Sequence, residues 1–285
     1  MSSTRVRKAV IPAAGFGTRM LPAAKAVPKE MLPILDRPTI QYVVQEAADA
    51  GITDCLLVVS RDKKAIEDHF DRSPELEARL AATGKESLLA SIAALARQIR
   101  IHSVRQQEQK GLGDAVAQAR QHVGDEPFAC MLGDTIFSGD ELPLHQMQRA
   151  FEKYRTPIIA LEQVPADKVG RYGIVGGKEI EPGVVRIDTL VEKPAPGQAP
   201  SHFAVCARYI LTQDIFACLD ETRPGKGGEI QLTDALKLLC SRVPMYGVVL
   251  SAKRHDIGNP IDWLKTNLIF AMKDPEMWKQ IQEVL

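Results

Sequence analysis

The chain carries no excess of charge of either sign. Its 36 lysine and arginine residues balance 36 aspartates and glutamates. Bulk attraction to nucleic acid or to an anionic membrane is therefore excluded as a driving force, and any anion binding has to come from local placement of cations. No apolar run approaches the roughly 18 residues of a membrane-spanning helix. The opening MSSTRVRKAV lacks the apolar core of roughly 7–15 residues expected of a secretory signal. Cysteine is sparse and scattered: Cys55, Cys130, Cys206, Cys218 and Cys240 form no CxxC pair and no zinc-ligand spacing, the pattern of reduced, buried thiols in a cytoplasmic protein. Two familiar phosphate loops are missing as well. There is no GxxxxGK[ST], and Gly15-Phe16-Gly17 has Met20 where a dinucleotide fingerprint needs its third glycine.

The 285 residues are 45% hydrophobic and 25% charged, enough for one domain with a large core and an elaborated second half. The first half alternates strand and helix signals. Apolar runs at Lys8–Ala13, Cys55–Val59, Ile101–Val104 and Phe128–Leu132 predict strands. Helices are expected over Pro38–Ala50 (capped at Asp36), Asp62–Ala82, Glu86–Gln98 and Ala115–His122, the last capped at Asp114. This βαβ rhythm predicts a doubly wound, mostly parallel sheet. Beyond Asp140, a helix at Pro143–Tyr154 and a strand at Ile158–Val164 precede shorter, turn-punctuated segments. Those segments, Gly173–Val175, Val184–Ile187, Leu190–Glu192 and Phe203–Ile210, predict a small antiparallel addition. The expected organisation is a single domain over 1–285, with halves at 1–140 and 141–260 and a helical region at 261–285.

The stretch from Lys8 to Pro33, KAVIPAAGFGTRMLPAAKAVPKEMLP, reads as a strand feeding a glycine loop. Gly15 and Gly17 permit positive φ and close backbone approach. Successive N–H groups in such a turn form an anion-binding nest, and Arg19 and Lys29 supply charge for a polyphosphate. Pro22, Pro28 and Pro33 bar a crossover helix, since an interior proline costs a helix about 3 kcal/mol. Asp134 ends the run FACMLGD, just past the C-terminal edge of a parallel strand, where α/β sheets bind ligands.

Several of these segments together resemble the sugar nucleotidylyltransferases, also called sugar-nucleotide pyrophosphorylases. The resemblance is carried by GxGTRM…PKEMLP, Val104-Arg105-Gln106, Gly111-Leu112-Gly113, Leu132-Gly133-Asp134, Arg171-Tyr172-Gly173, Val191-Glu192-Lys193-Pro194, GGEIQLTDA from Gly227, and Asp256-Ile257-Gly258-Asn259. It implies a Rossmann-like sheet of the nucleotide-diphospho-sugar transferase type with an antiparallel sugar-binding elaboration. The spelling PKEMLP and the GGEIQLTDA run favour the uridylyl-transferring branch over a thymidylyl-transferring one. The implied substrates are UTP and glucose 1-phosphate, the implied cofactor is Mg²⁺, and the implied assembly is a homodimer or homotetramer.

The resemblance also implies roles. Arg19 and Lys29 hold phosphates near the reacting centre, and Lys193 holds the sugar phosphate. Gln106 reads the base through its amide, with Ala14, Gly15 and Gly111 packed against the nucleoside. Glu192 and the backbone at Gly173 bind the sugar hydroxyls. Asp134 is the main Mg²⁺ ligand and Asp256 the second carboxylate. Three positions depart from the family pattern: Ala24 for a threonine, Asp114 for a histidine and Gly133 for a proline. Intact charges at Arg19, Lys29, Asp134 and Lys193 argue against a regulatory paralogue without activity.

Overall fold

The computed structural model describes residues 5–283. The chain enters through β1 (Lys8–Pro12), whose Ala9, Val10 and Ile11 are fully buried. The proline-rich segment that follows makes three short 3-10 turns, Thr18–Met20, Ala23–Lys25 and Lys29–Met31, and no crossover helix. A hairpin of β2 (Pro33–Ile34) and β3 (Arg37–Pro38) leads into α1 (Thr39–Asp49). The residue at its cap is Pro38, and Asp36 does not cap it as expected.

Next come β4 (Asp54–Val59), α2 (Lys64–Phe70), α3 (Pro74–Ala82), α4 (Ala90–Gln98), β5 (Arg100–Arg105), α5 (Leu112–Ala117), α6 (Arg120–Val123) and β6 (Phe128–Met131). The single helix expected over 62–82 is broken at Ser73-Pro74, because a residue before proline is pushed out of the α region. The helix expected to open behind Asp114 starts earlier, at Leu112, with Gly111 at φ 103° before it. Asp114 lies inside the first turn and caps nothing.

The second half holds β7 (Thr135–Ser138), α7 (Pro143–Tyr154), β8 (Ile158–Gln163), β9 (Gly173–Glu181), β10 (Val184–Glu192), β11 (Phe203–Leu211), α8 (Asp214–Glu221), α9 (Leu232–Cys240), β12 (Met245–Val249), β13 (Lys253–Asp256), α10 (Pro260–Ala271) and α11 (Pro275–Gln282). The two strands expected at 184–192 are one, β10, with an irregularity between Ile187 and Thr189.

Among the described residues nine strands form one mixed sheet in the order β5-β4-β1-β6-β11-β8-β12-β10-β9. The stretch β5-β4-β1-β6 is parallel throughout. β11 then runs antiparallel to β6, β8 and β9. Overall the sheet contains four parallel and five antiparallel pairings, so the expectation of a mostly parallel sheet holds only for its first half. The antiparallel strands do not form a separate small unit, because β11 pairs directly with the edge that β6 would otherwise leave open.

Alternation along the strands sends side chains to two faces. Ala9, Ile11, Leu57 and Met131 join α1 and α7 in one core. Val10, Leu56, Val58 and Cys130 join α5, α8 and α9 in another. Chain order passes from β1 outward to β4 and β5, then returns to β6 on the other flank of β1. The C-terminal ends of β1 and β6 thus open a crevice, the place where such sheets bind ligands. Immediately beyond β6, β7 pairs with β13 in a separate two-stranded ribbon that places Asp256 opposite Thr135. Among the described residues no helix is long and apolar enough to cross a membrane. All five cysteines are free, and four of them are buried.

Candidate active site

Two adjoining cavities lie over that crevice. The first, about 380 Å³, is lined by Ala14, Gly15, Lys29, Gln106, Gly111 and Asp134 among others. The second, about 550 Å³, is lined by Arg19, Asp134, Gly173, Glu192, Lys193 and Asp256 among others. Asp134, Leu112 and Leu132 belong to both. Every residue to which the resemblance gave a site role therefore lines one of two chambers that meet at Asp134. Arg19 falls on the second chamber, not beside Lys29 in the first.

The glycine loop does its work unevenly. Gly17 adopts φ 66°, a conformation that only glycine takes freely. Gly15 is not in that region, and a Cβ there would meet no protein atom within 4 Å. Its value is the open space in front of the backbone, not backbone strain.

At the junction, Lys29 Nζ sits 2.6 Å from Asp134 Oδ2 and 3.9 Å from Glu30 Oε1, and Lys63 Nζ sits 2.9 Å from Glu30 Oε2. The four side chains form a ladder of alternating sign. Burial pushes the Lys29 amine down, but Asp134 and Glu30 outweigh it and hold it above its ordinary value. Burial likewise pushes the Asp134 carboxyl up, but Lys29 and then Arg19 hold it below the usual range. Glu30, 2% exposed, stays raised: burial dominates, and Lys29 and Lys63 only partly offset it. Neither Glu30 nor Lys63 was legible as a site residue, because Lys63 lies far from the loop in sequence.

In the first chamber Gln106 is 4% exposed. Its amide Nε2 donates to Asp114 Oδ2 at 2.7 Å and to the Gly111 carbonyl at 3.1 Å. Both amide hydrogens are thus consumed within the protein, which leaves Oε1 as an acceptor. Of the donor and acceptor that a free amide would offer a base, only the acceptor remains, because Asp114 and the Gly111 carbonyl take the two hydrogens. Gln109 also lines this chamber, and its Nε2 lies 3.5 Å from the Ala14 carbonyl. The Glu229–Gln231 segment closes the wall: Ile230 N–H donates to Lys110 O at 2.7 Å, and Gly113 N–H donates to Ile230 O at 2.8 Å. Gly111 is required here, since a Cβ would lie 2.7 Å from the Ile230 carbonyl oxygen.

In the second chamber Glu192 accepts from Thr233 Oγ1 at 2.7 Å and lies 3.2 Å from Lys193 Nζ. Lys193 has φ 43° and Ala207, in the same wall, φ 63°. Non-glycine residues in this region mark places where the surroundings over-determine the backbone. Arg254 was missed from the sequence. It pairs with Glu162, and its guanidinium lies 4.5 Å from the Tyr172 ring. The available signal was its i, i+2 spacing to Asp256, which puts both on one face of a strand. His255, between them, points the other way, into a contact with Ser138, and burial pushes its imidazole down to about 4. Next to it, Gly258 admits Arg19: a Cβ there would lie 2.7 Å from Arg19 Nη2 and 2.8 Å from Asp256 Oδ1.

Among the described residues no three His, Cys, Asp or Glu side chains converge on a metal site. The two carboxylates of the second chamber, Asp134 and Asp256, are oxygen donors of the kind a hard divalent cation takes when substrate phosphates and water complete its shell.

The chain belongs to the nucleotidyl transferase family, whose model matches residues 8–272. The UTP–glucose-1-phosphate uridylyltransferase of Bacillus subtilis (strain 168) is 47% identical over 277 residues, covering 97% of this chain and 95% of that protein. A UDP-glucose pyrophosphorylase solved in complex with UDP-glucose superposes with a TM-score of 0.87 at 41% identity, covering 94% of this chain and 100% of the other. A UTP-bound enzyme of the same kind from Acinetobacter baumannii gives 0.90 at 36% identity, covering 98% of both chains.

Proposed function

We propose that this protein transfers the uridylyl group of UTP to α-D-glucose 1-phosphate, giving UDP-glucose and pyrophosphate. The observation that carries the reading is the meeting of two differently built chambers at one carboxylate, Asp134, in a chain close to uridylyltransferases along nearly its whole length. The parallel strands β5-β4-β1-β6 are read as a Rossmann-like doubly wound unit. The nucleotide half is read as 1–140, the sugar half as 141–260 and the helical region as 261–285, with 1–4 and 284–285 lying outside the described residues.

In this reading UTP lies in the first chamber. Gln106 Oε1 accepts the uracil N3–H, and the backbone at Ala14, Gly15 and Gly111 packs against base and ribose. Glucose 1-phosphate lies in the second, with its hydroxyls on Glu192 and the Gly173 backbone and its phosphate on Lys193. A phosphate oxygen of the sugar attacks the α-phosphorus in line. The bond from that phosphorus to the bridging oxygen breaks, and pyrophosphate carries away the electron pair. The nucleophile is already anionic, so no strong base is needed, and catalysis rests on positioning and charge neutralisation. Lys29 from the first chamber and Arg19 from the second neutralise the reacting phosphates. Asp134 and Asp256 would hold Mg²⁺, which when bound polarises phosphoryl oxygens and offsets their charge. Lys29 exchanges its carboxylate partner for phosphate, and Glu30 remains behind it as counter-charge.

The cytoplasmic reading is supported by the five free thiols. The homodimer or homotetramer reading is supported by an exposed apolar stripe along α10 and its C-terminal cap, formed by Ile261, Leu264, Leu268 and Met272. The test of function is pyrophosphate release from glucose 1-phosphate with Mg²⁺ and each of UTP, dTTP, ATP, CTP and GTP, beside Asp134→Asn. Turnover with UTP that Asp134→Asn abolishes is expected. A preference for dTTP would move the substrate and keep the mechanism, and silence with every nucleotide would sink the proposal.

A further inference from the structure

Arg208 is the largest side chain with no exposed surface at all, and it touches neither chamber's ligand space. It lies on β11, beneath the turn that links β6 to β7. Its Nε and Nη2 grip Glu46 of α1 at 2.8–3.2 Å. The other Nη2 hydrogen donates to the Thr135 carbonyl at 2.9 Å, and Nη1 donates to the carbonyls of Ala207 at 3.0 Å and Leu132 at 3.4 Å. The guanidinium lies over the Phe137 ring at 4.8 Å. All five N–H groups of the guanidinium are thereby engaged, and a planar fork is the only side chain that can do this.

The bonds to Leu132 and Thr135 bracket Asp134 on both sides. The same turn sets Asp256: Ile257 N–H donates to the Asp134 carbonyl at 2.9 Å, and Thr135 pairs with Asp256 in the β7–β13 ribbon. The backbone that bears both candidate carboxylates is thus fastened to one buried cation, and through it to α1. We infer that Arg208, held by Glu46, is a positioning residue that fixes the Asp134–Asp256 pair for its divalent cation by clamping the carbonyls on either side of Asp134. The inference rests on the reading of those two aspartates as the metal carboxylates.

A merely structural ion pair would lower stability and leave metal affinity alone. The test uses Glu46→Gln and Arg208→Lys, with Asp134→Asn as reference. Mn²⁺ is titrated into full-length enzyme saturated with UDP-glucose, free Mn²⁺ being read by electron paramagnetic resonance. UDP-glucose affinity in EDTA and the urea midpoint are measured alongside. The expected result is Mn²⁺ affinity weakened by about tenfold or more in the folded variants, with UDP-glucose affinity in EDTA unchanged. Wild-type Mn²⁺ affinity in a folded variant overturns the inference, as does a parallel loss of both ligands. If Arg208→Lys does not fold, Glu46→Gln decides alone. Retention of Mn²⁺ by Asp134→Asn overturns the metal reading itself and this inference with it, a result distinct from failure of the clamp.

Discussion

Removing Lys63 should destabilise the protein far more than removing Lys63 and the charge of Glu30 together. Glu30 is 2% exposed, and its two cationic neighbours lie at 2.9 Å (Lys63) and 3.9 Å (Lys29). At an effective dielectric of about 20 these separations correspond to gross attractions of about 6 and about 4 kcal/mol. Desolvation opposes each with several kcal/mol per ion. Lys63→Met deletes the larger attraction and leaves the carboxylate buried, a change that costs about 3–5 kcal/mol. Lys63→Met with Glu30→Gln removes both charges, leaves the 2.6 Å Lys29–Asp134 pair in place, and should cost about 2 kcal/mol or less. Urea unfolding with linear extrapolation measures wild type, Lys63→Met, Glu30→Gln and the double variant, and m-values report whether the unfolding remains comparable. Strict additivity of the two single substitutions, or a loss under about 1 kcal/mol for Lys63→Met, would refute the reasoning.

Gly258→Ala should leave the urea midpoint nearly unchanged, because the ends of the Arg19 and Asp256 side chains can swing away, while lowering kcat/KM about tenfold or more by displacing both groups from the second chamber. Wild-type kcat/KM in that variant would mean that neither Arg19 nor Asp256 acts from the position seen here. Gly111→Ala meets a backbone oxygen at 2.7 Å and a φ of 103°. It should cost about 2–4 kcal/mol and raise the KM for UTP, and a stability equal to wild type would contradict the observed packing. Thr233→Val frees Glu192 Oε2. It should raise the KM for glucose 1-phosphate several-fold and leave that for UTP alone, and equal effects on both substrates would argue against Glu192 as a sugar ligand. Lys29 has a folded pKa above the ordinary 10.5, so its stabilisation is fully present below that value and is lost only as pH rises beyond it. The stability gap between wild type and Lys29→Met should therefore stay flat from about pH 7 to 10, and a gap that closes by pH 9 would contradict the pairing.

Much of the fold was readable because buried parallel strands are continuous apolar runs. CLLVV and FACML announce β4 and β6 to within a residue, and PLHQMQRAFEKY carries the period of α7. The ribbon of β7 and β13 was not readable. TIFS and KRHD are short and lack strand periodicity, and their pairing spans more than a hundred residues. That ribbon holds Asp256 in place, so the carboxylate was legible as a family resemblance but its support was not. The same holds for Gln106: its residue type pointed to base reading, but only the Asp114 contact reveals which end of the amide is left to do it. The ladder behind Lys29 and the clamp by Arg208 were invisible for one reason. Buried ion pairs between distant segments have no sequence period.

The wall segment Glu229–Gln231 measures distance. Both of its outer residues are extended, at φ −91° and −84°, and they face successive chambers, Glu229 the first and Gln231 the second. A two-residue extended step spans roughly 6.6 Å, so this stretch of chain works as a ruler laid across the junction of the two substrates. Its middle mark, Ile230, is nailed at both backbone atoms to the 110–113 turn. Lengthening or shortening the ruler by one residue would turn one outer side chain away from its chamber and shift Ile230, which packs against the core under α9.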